Sequence, residues 1–226
     1  MKKTIVLIIF LTLLILVSFY IKYTFYNTNY RTSFLLHQVK TLGNNDELKN
    51  GDLIFQTSTS KQSKAIQLAT KSRYSHCGII FINKGTYCVF EAVQPVGWMP
   101  LKEWIAKGVN SHYVVKRLKN ADTILTDATI KKMKKEGEKF NGKNYDSHFE
   151  WSDTKIYCSE LIWKIYKRST GIEIGKLQKL RDFDLSNEIV KNTMKKRYHN
   201  KIPMDEIVIS PAAIFDSELL ITVKSN

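Results

Sequence analysis

Two runs of β-forming residues constrain the fold most strongly, because only three residues separate them. The runs are SHCGIIFI (75–82) and TYCVFEAV (86–93), with Asn83-Lys84-Gly85 between them. A short gap of this composition is typical of a β-hairpin. We therefore predict that the two runs form adjacent antiparallel strands.

The hairpin carries a histidine and a glutamate whose relative position depends on the turn. With Asn83-Lys84 as the turn, His76 faces Glu91 directly, and directly opposed Cβ atoms lie about 5 Å apart. With Lys84-Gly85 as the turn, the two residues are diagonal neighbours on the same face. A three-residue loop would place them on opposite faces. Two of these registers let the carboxylate hold an imidazole nitrogen, and the alternative is a structural strand histidine beside a solvent-facing glutamate.

Further strands are predicted on both sides of the hairpin. The turn Asn50-Gly51-Asp52 precedes an apolar strand at 53–55, and SHYVVKRL (111–118) has the composition of another strand. The tail contains EIVIS and LLITVKS, which suggest one or two closing strands.

Helices are predicted where apolar residues recur with helical spacing. A short helix is expected in 60–72, and amphipathic helices are expected in 127–140 and 157–169. This succession of helices and strands predicts an α+β domain in which helices pack on an antiparallel sheet.

Cys158 lies where the helix of 157–169 begins. Backbone N–H groups at a helix N-terminus stabilise a thiolate, and a nearby histidine lowers the thiol pKa further. The same N–H groups can form half of an oxyanion hole. Cys158, His76 and Glu91 are therefore a candidate nucleophile, base and orienting carboxylate for acyl transfer through a thioester. The alternative for Cys158 is a buried structural cysteine.

Five short motifs resemble those of a known enzyme group. They are GDLIF (51–55), SHCGI (75–79), FEA (90–92), NYD (144–146) and YCSELI (157–162). Together they resemble the circularly permuted branch of the NlpC/P60 papain-like superfamily, and within it the YiiX/YebB-like cysteine peptidases. In that branch the histidine strand precedes the cysteine helix, as it does here. The resemblance covers about residues 50–165 and implies a permuted papain-like fold.

The resemblance also implies a role for each matching position. Cys158 would be the nucleophile, His76 the general base and Glu91 the third polar residue. Tyr145 matches a tyrosine ahead of the nucleophile that helps the oxyanion site. Asp52, from the GD pair, would line the pocket near the substrate amine.

The cysteines argue against a zinc site. Cys77, Cys88 and Cys158 lack the CxxC or Cys/His spacing of zinc ligands, so no metal site is predicted. Cys77 departs from the group, which usually has a small or branched apolar residue there. We predict that Cys77 is a small core residue and not a nucleophile, since it points away from the His76 face.

The predicted function is that of a papain-like cysteine hydrolase of the NlpC/P60 type. It would act as an amidase or peptidase on peptides or amino-acyl amides of the cell envelope, and it would need no metal or organic cofactor. A lipid-directed acyltransferase or phospholipase is the first alternative, because related permuted proteins include such enzymes. A noncatalytic envelope binding module is the second.

The N-terminus predicts a membrane anchor over residues 1–23. An uncharged, mostly apolar run extends from Thr4 to Ile21 and ends at Lys22, which is near the lower length limit for spanning a bilayer as a helix. The run lacks the small residues of a signal cleavage site. An uncleaved transmembrane helix is therefore expected, with a cleaved secretory signal as the alternative.

The anchor determines the predicted organisation of the rest of the chain. Lys2 and Lys3 would stay in the cytoplasm by the positive-inside rule, so the catalytic domain would face outside it, or be secreted if the anchor is cleaved. Residues 24–49 are predicted to be a tether with a short helix, and residues 50–226 the catalytic domain.

Charge and composition limit the possible partners. A hydrophobic content of 43% with 12% aromatic residues excludes a disordered chain. The net charge of +14 fits a solvated basic surface, or attraction to anionic lipid headgroups or an anionic wall polymer. No nucleic-acid motif accompanies the charge, and an export anchor argues against nucleic acid as a partner.

Overall fold

A computed structural model describes most of the chain after residue 47. It covers residues 48–83, 85–199 and 201–226, together with the helical residues Val17, Ser18, Tyr20 and Lys22. No helix built from these described residues is both long and apolar enough to cross a bilayer. The predicted anchor at 1–23 and the predicted tether at 24–49 fall almost wholly outside them.

Eight strands are found in the unit Glu47–Asn226. They are β1 (Leu53–Gln56), β2 (His76–Asn83), β3 (Thr86–Glu91), β4 (Gly97–Pro100), β5 (Val114–Leu118), β6 (Gln178–Lys179), β7 (Ile207–Val208) and β8 (Leu220–Ser225). Six of them form one antiparallel sheet in the order β4-β3-β2-β1-β5-β8, and β6 pairs with β7 separately.

Seven helices are found in the same described unit. They are α1 (Ser63–Thr70), α2 (Leu101–Ala106), α3 (Ala121–Ile124), α4 (Asp127–Glu138), α5 (Cys158–Thr170), α6 (Glu188–Tyr198) and α7 (Pro211–Phe215). Short 3-10 turns lie at Val109–Ser111 and Leu180–Asp182. The predicted α+β class, with helices on an antiparallel sheet, is confirmed.

The apolar stripe of α5 fixes this helix on the sheet. Leu161, Ile162 and Ile165 are fully buried and share one apolar core with Phe55 of β1 and Ile79 of β2. Burying one such side chain contributes about 1.5–3 kcal/mol. The helix α4 packs against α5, and α2 packs against β3 and β4. The stripe therefore holds the first residue of α5 against the sheet.

Helix α6 was not predicted, and its sequence explains why. It reads EIVKNTMKKRY, in which only Val190 and Met194 are buried. These two side chains join a small apolar cluster with Leu180, against which Leu68 and Ala69 of α1 pack. A pair of apolar residues in a lysine-rich segment is a weak periodic signal. Tertiary packing on α1 therefore determines this helix more than its own pattern does.

The hairpin has the second of the predicted registers. Asn83 pairs with Thr86, which is the pairing expected if Lys84-Gly85 is the turn. Continuing this register places Glu91 opposite Gly78, so that His76 and Glu91 are diagonal neighbours on one face. Of the three registers left open by the sequence, direct opposition and opposite faces are excluded, and the two side chains share a face.

The loop geometry gives the reason for this register. Gly85 has a φ of +77°, a conformation that glycine adopts without steric cost. With Asn83-Lys84 as the turn, the second loop position would be a residue with a Cβ atom. The glycine therefore selects the observed turn.

Candidate active site

The N-terminus of α5 presents Cys158 in a fixed position. The thiol residue is the first of the helix and only 3% exposed. On either side of it, the Tyr157 hydroxyl accepts the Ile209 N–H at 3.0 Å, and the Ser159 hydroxyl donates to the Ile209 carbonyl at 2.7 Å. Two hydrogen bonds to one distant residue therefore hold the start of the helix in place.

The imidazole of His76 is oriented by a buried carboxylate. His76 Nε2 lies 2.5 Å from Glu91 Oε2, and Trp104 Nε1 donates to the same oxygen at 2.8 Å. The imidazole also stacks on the Trp104 ring, with centroids 5.8 Å apart. Because Nε2 is bound to Glu91, Nδ1 is the ring nitrogen available to the Cys158 thiol.

Gly78 leaves the room that this pair requires. A Cβ atom at this position would lie 2.3 Å from Val89 Cγ1 and 3.4 Å from the Cβ of Glu91. The first distance is far below van der Waals contact. A side chain here would therefore displace the strand that carries the carboxylate.

The pKa values of His76 and Cys158 move in opposite directions. Burial disfavours the charged imidazole, but hydrogen bonds to Cys158 and Glu91 outweigh it and raise the pKa of His76 to about 10. A hydrogen bond with Cys77 lowers the pKa of Cys158, burial opposes this, and the contact with His76 lowers it further, to well below the usual range. The two shifts together favour the imidazolium–thiolate form of the pair.

Cys77 contributes more than packing. It is fully buried, as expected for a core residue, and it belongs to the same core cluster as Cys158, whose pKa it lowers through hydrogen bonding. Burial raises the pKa of the Cys77 thiol well above its usual range, so it keeps its proton and can donate to the Cys158 thiolate. No local pattern reveals this contact, because it joins the start of β2 to the start of α5.

Tyr145 lies at the end of a chain of polar side chains. Gln62 Nε2 donates to the Tyr145 hydroxyl at 2.8 Å, and Arg197 Nη2 donates to Gln62 Oε1 at 3.0 Å. Because arginine only donates, it fixes which end of the Gln62 amide faces Tyr145. The hydroxyl accepts from Gln62 and keeps its own proton, since burial and the negative charge of Cys158 raise the pKa of Tyr145 well above its usual range.

Sequence reasoning missed Gln62, Arg197 and Trp104. Gln62 and Arg197 are 135 residues apart in the chain, and neither stands in a recognisable motif. The only available signal was the set of five motifs, and these three residues lie outside it.

Asp52 is placed in a different setting from the one expected. It is fully buried, and Arg117 Nε and Nη2 donate to its two carboxylate oxygens at 2.7 and 2.8 Å. The Lys49 N–H also donates to it at 2.7 Å. Burial raises the pKa of Asp52, while the hydrogen bond from Arg117 opposes this. Among the described residues, Asp52 lines neither of the two cavities near the thiol, so the structure does not bring it to the site.

Two cavities of different character meet at the site. A polar cleft of about 480 Å³ is lined by His76 and Glu91. An almost wholly apolar, partly open pocket of about 80 Å³ is lined by Cys158. Gln62 and Tyr145 line both. The nucleophile therefore faces an apolar pocket, and its base faces a polar cleft.

The described residues offer no metal centre at this site or elsewhere. Among them, no group of three or more His, Cys, Asp or Glu side chains is placed to hold a metal ion. What the site offers is the chemistry of a thiolate, an imidazolium and hydrogen-bond donors.

Comparison with known proteins places this arrangement among its relatives. A family model described as "Permuted papain-like amidase enzyme, YaeF/YiiX, C92 family" matches residues 47–224. The uncharacterized protein YiiX of Escherichia coli (strain K12) is 46% identical over 175 residues, which cover 77% of this chain and 85% of YiiX. A crystal structure of YiiX from Escherichia coli O157:H7, described as a metalloprotein, matches with a TM-score of 0.76 at 46% identity, covering 80% of this chain and 98% of that chain.

Proposed function

Because the chain belongs to the permuted papain-like amidase family of YaeF and YiiX, we propose that it hydrolyses amides with a Cys158, His76 and Glu91 triad. The predicted YiiX-like membership is confirmed by the family match, and a cysteine hydrolase is the general activity of such a family. One observation carries the proposal: Glu91 holds the His76 imidazole at 2.5 Å, beside a cysteine at a helix N-terminus whose pKa that imidazole lowers.

The first half of the reaction forms a thioester. The Cys158 thiolate attacks the carbonyl carbon of the amide, a C–S bond forms, and the carbonyl electrons move to oxygen. The imidazolium of His76 then gives its proton to the leaving nitrogen. The C–N bond breaks, and the amine departs from an acylated Cys158.

The second half releases the acid. Water loses a proton to the neutral imidazole of His76 as its oxygen attacks the thioester carbonyl. The C–S bond breaks, which restores the thiolate and imidazolium and frees the carboxylic acid. Glu91 keeps the imidazole oriented through both halves.

Tyr145 is proposed to donate to the oxyanion together with the backbone N–H groups at the start of α5. The proton of the Tyr145 hydroxyl remains available to the oxyanion, because Gln62 donates to the hydroxyl oxygen and does not accept from it. Arg197 in turn orients Gln62. Removing one oxyanion donor costs about 10²–10³ in kcat in enzymes of this type.

The Escherichia coli O157:H7 relative is described as a metalloprotein, but no metal is assigned to this chain. The described residues do not provide a cluster of three His, Cys, Asp or Glu side chains, whereas zinc sites use three or four protein ligands. Each step above is performed by side chains of the chain itself.

The setting of the reaction is proposed from the sequence. The apolar run of residues 4–21 and the net charge of +14 favour a catalytic unit that acts at the cell envelope, on peptides or amino-acyl amides. A lipid substrate on the same fold is the alternative.

The proposed function is tested by finding the acyl group on Cys158. The full chain is incubated at pH 7 with envelope peptides and, separately, with phospholipid vesicles, and then quenched in acid. We expect a peptidyl or amino-acyl adduct on the Cys158 peptide by mass spectrometry, with product release that Cys158→Ala abolishes.

Cys88→Ala is the matched control, since it removes a half-buried thiol outside both cavities and should keep turnover. A fatty-acyl mass on Cys158 would favour the lipid alternative. Product formation that survives in Cys158→Ala would refute the proposed triad, and an intact thiol with no product would favour a noncatalytic module.

The Cys77 contact gives a further prediction. Cys77→Ala removes a hydrogen bond from the Cys158 thiolate, so the pKa of Cys158 should rise. A hydrogen bond to a charged group is worth about 1.5–3 kcal/mol, which corresponds to about one to two pH units. The midpoint of the pH profile for alkylation of Cys158 should move upward by this amount.

Cys77→Ser separates hydrogen bonding from packing, because serine keeps a donor of similar size. We expect the Cys77→Ser midpoint to lie close to that of the native chain. Equal shifts in the two variants would show that packing, and not the hydrogen bond, tunes the nucleophile.

A further inference from the structure

We infer that the apolar pocket beside Cys158 binds the acyl side of the substrate as a short aliphatic group, while the polar cleft beside His76 receives the leaving amine. This inference rests on the proposed amidase function and names its substrate class. It follows from which residues line each cavity.

The chemistry assigns a side to each part of the substrate. His76 must protonate the leaving nitrogen, so the leaving group has to lie on the imidazole side of the carbonyl. The cleft is the cavity that His76 and Glu91 line. The acyl substituent extends to the other side of the attacked carbon, and there Cys158 lines the apolar pocket.

The walls of the pocket fit a hydrocarbon. Its lining includes Ala65 and Ala69 of α1, Val190 and Met194 of α6, and Leu180. Each methylene buried against such a wall should raise kcat/KM about fourfold. A polar acyl side chain would lose its hydration there without gaining partners.

The size of the pocket limits the length of the group. Its volume of about 80 Å³ is roughly half that of an engineered cavity of about 150 Å³ that binds benzene. The pocket therefore holds about three or four carbon atoms, as in a small branched acyl group or the side chain of valine or leucine. A long fatty-acyl chain would not fit within it and would have to leave through its open side.

The cleft carries acceptors suited to an amine. Its lining includes Gln56, Ser58 and Gln94, whose side-chain oxygens can accept hydrogen bonds. Such acceptors favour a ligand that brings N–H donors. A leaving amine supplies such donors, whereas an alcohol from an ester brings at most one.

A homologous series of amides tests the assignment. The full chain is assayed with acetyl, propionyl, butyryl, isovaleryl, hexanoyl and decanoyl amides of one polar amine, lysinamide. We expect kcat/KM to rise about fourfold per carbon to a maximum at about four carbons and to fall beyond it. A flat series, or a rise that continues to decanoyl, would overturn the inference.

Two variants of Val190, which lines the pocket, test whether the acyl group binds there. Val190→Phe fills the pocket and should lower kcat/KM for the isovaleryl amide at least tenfold while the acetyl amide is still hydrolysed. Val190→Ala enlarges the pocket and should move the maximum of kcat/KM to a longer acyl chain. This second variant still tests the location if Val190→Phe impairs folding. Ile189→Phe is the control, because Ile189 is on the same helix but 47% exposed. A chain-length profile unchanged in both Val190 variants would overturn the assignment.

The two proposals fail in different ways. If no amide of the series is hydrolysed and Cys158 carries no adduct, the amidase function and the inference both fall. If hydrolysis occurs through Cys158 with no dependence on chain length, only the inference falls.

Discussion

Replacing His76 by alanine is expected to shift the reactivity of Cys158 with iodoacetamide to higher pH by about two units or more. The substitution removes the positive charge and the hydrogen bond of His76 from the thiolate, so that only the contact with Cys77 still opposes the effect of burial on the thiol pKa. An ordinary thiol with a pKa of about 8.5 carries only about 0.03% thiolate at pH 5. The alkylation rate at that pH should therefore fall at least about tenfold, even though a more basic thiolate is intrinsically more nucleophilic.

The measurement is the alkylation rate of the Cys158 peptide as a function of pH. Reactivity in the native chain should be lost only as pH falls through the lowered pKa of Cys158, whereas the variant should lose it already below about pH 8. Glu91→Gln keeps a neutral acceptor for His76 and should give an intermediate midpoint. His112→Ala, which removes a histidine stacked on Tyr74, is the control and should match the native chain. An unshifted midpoint in His76→Ala would remove the basis for the proposed triad.

Asp52→Ala is expected to lower the free energy of unfolding by about 3–5 kcal/mol, because it leaves the Arg117 guanidinium without its buried counter-charge. The variant also deprives the Lys49 N–H of its acceptor. Under conditions where it remains folded, the alkylation of Cys158 should be unchanged. Urea denaturation, together with the alkylation rate, measures both effects.

Asp122→Ala is the matched control, since Asp122 also forms an ion pair, with Lys49, but at the surface. Its removal should leave the free energy of unfolding nearly unchanged. If Asp52→Ala unfolded like the native chain but lost turnover, the role near the substrate amine expected from the family resemblance would be restored.

The parts of the fold predicted correctly are those with local signals. Two runs of β-forming residues and a short gap identified the hairpin, and helical spacing identified α4 and α5. The register was left among three possibilities, because sequence composition alone did not decide between Lys84 and Gly85 as the second loop residue. Helix α6 escaped prediction because Val190 and Met194 are its only buried residues.

The candidate site was predictable to a similar extent. His76, Glu91 and Cys158 stand in motifs, and a helix N-terminus is visible in a sequence, so these residues could be proposed together. The burial of Asp52 depends on its ion pair with Arg117, which is 65 residues away in the chain. The orientation of Gln62 depends on its hydrogen bond with Arg197, which is 135 residues away. Side-chain pairs at such separations leave no periodic or local pattern.

The two hydrogen bonds that Ile209 makes with Tyr157 and Ser159 affect when the site can assemble during synthesis. His76 and Glu91 belong to one hairpin and can meet while the chain is still short. The start of α5, in contrast, is secured by Ile209, which lies 50 residues beyond Ser159. Before Ile209 is in place, the first turn of α5 lacks both of these hydrogen bonds, so Cys158 is held less firmly beside His76. A growing chain therefore carries less of the thiolate that oxidants attack, and the fully reactive form arises only after Ile209 has been added.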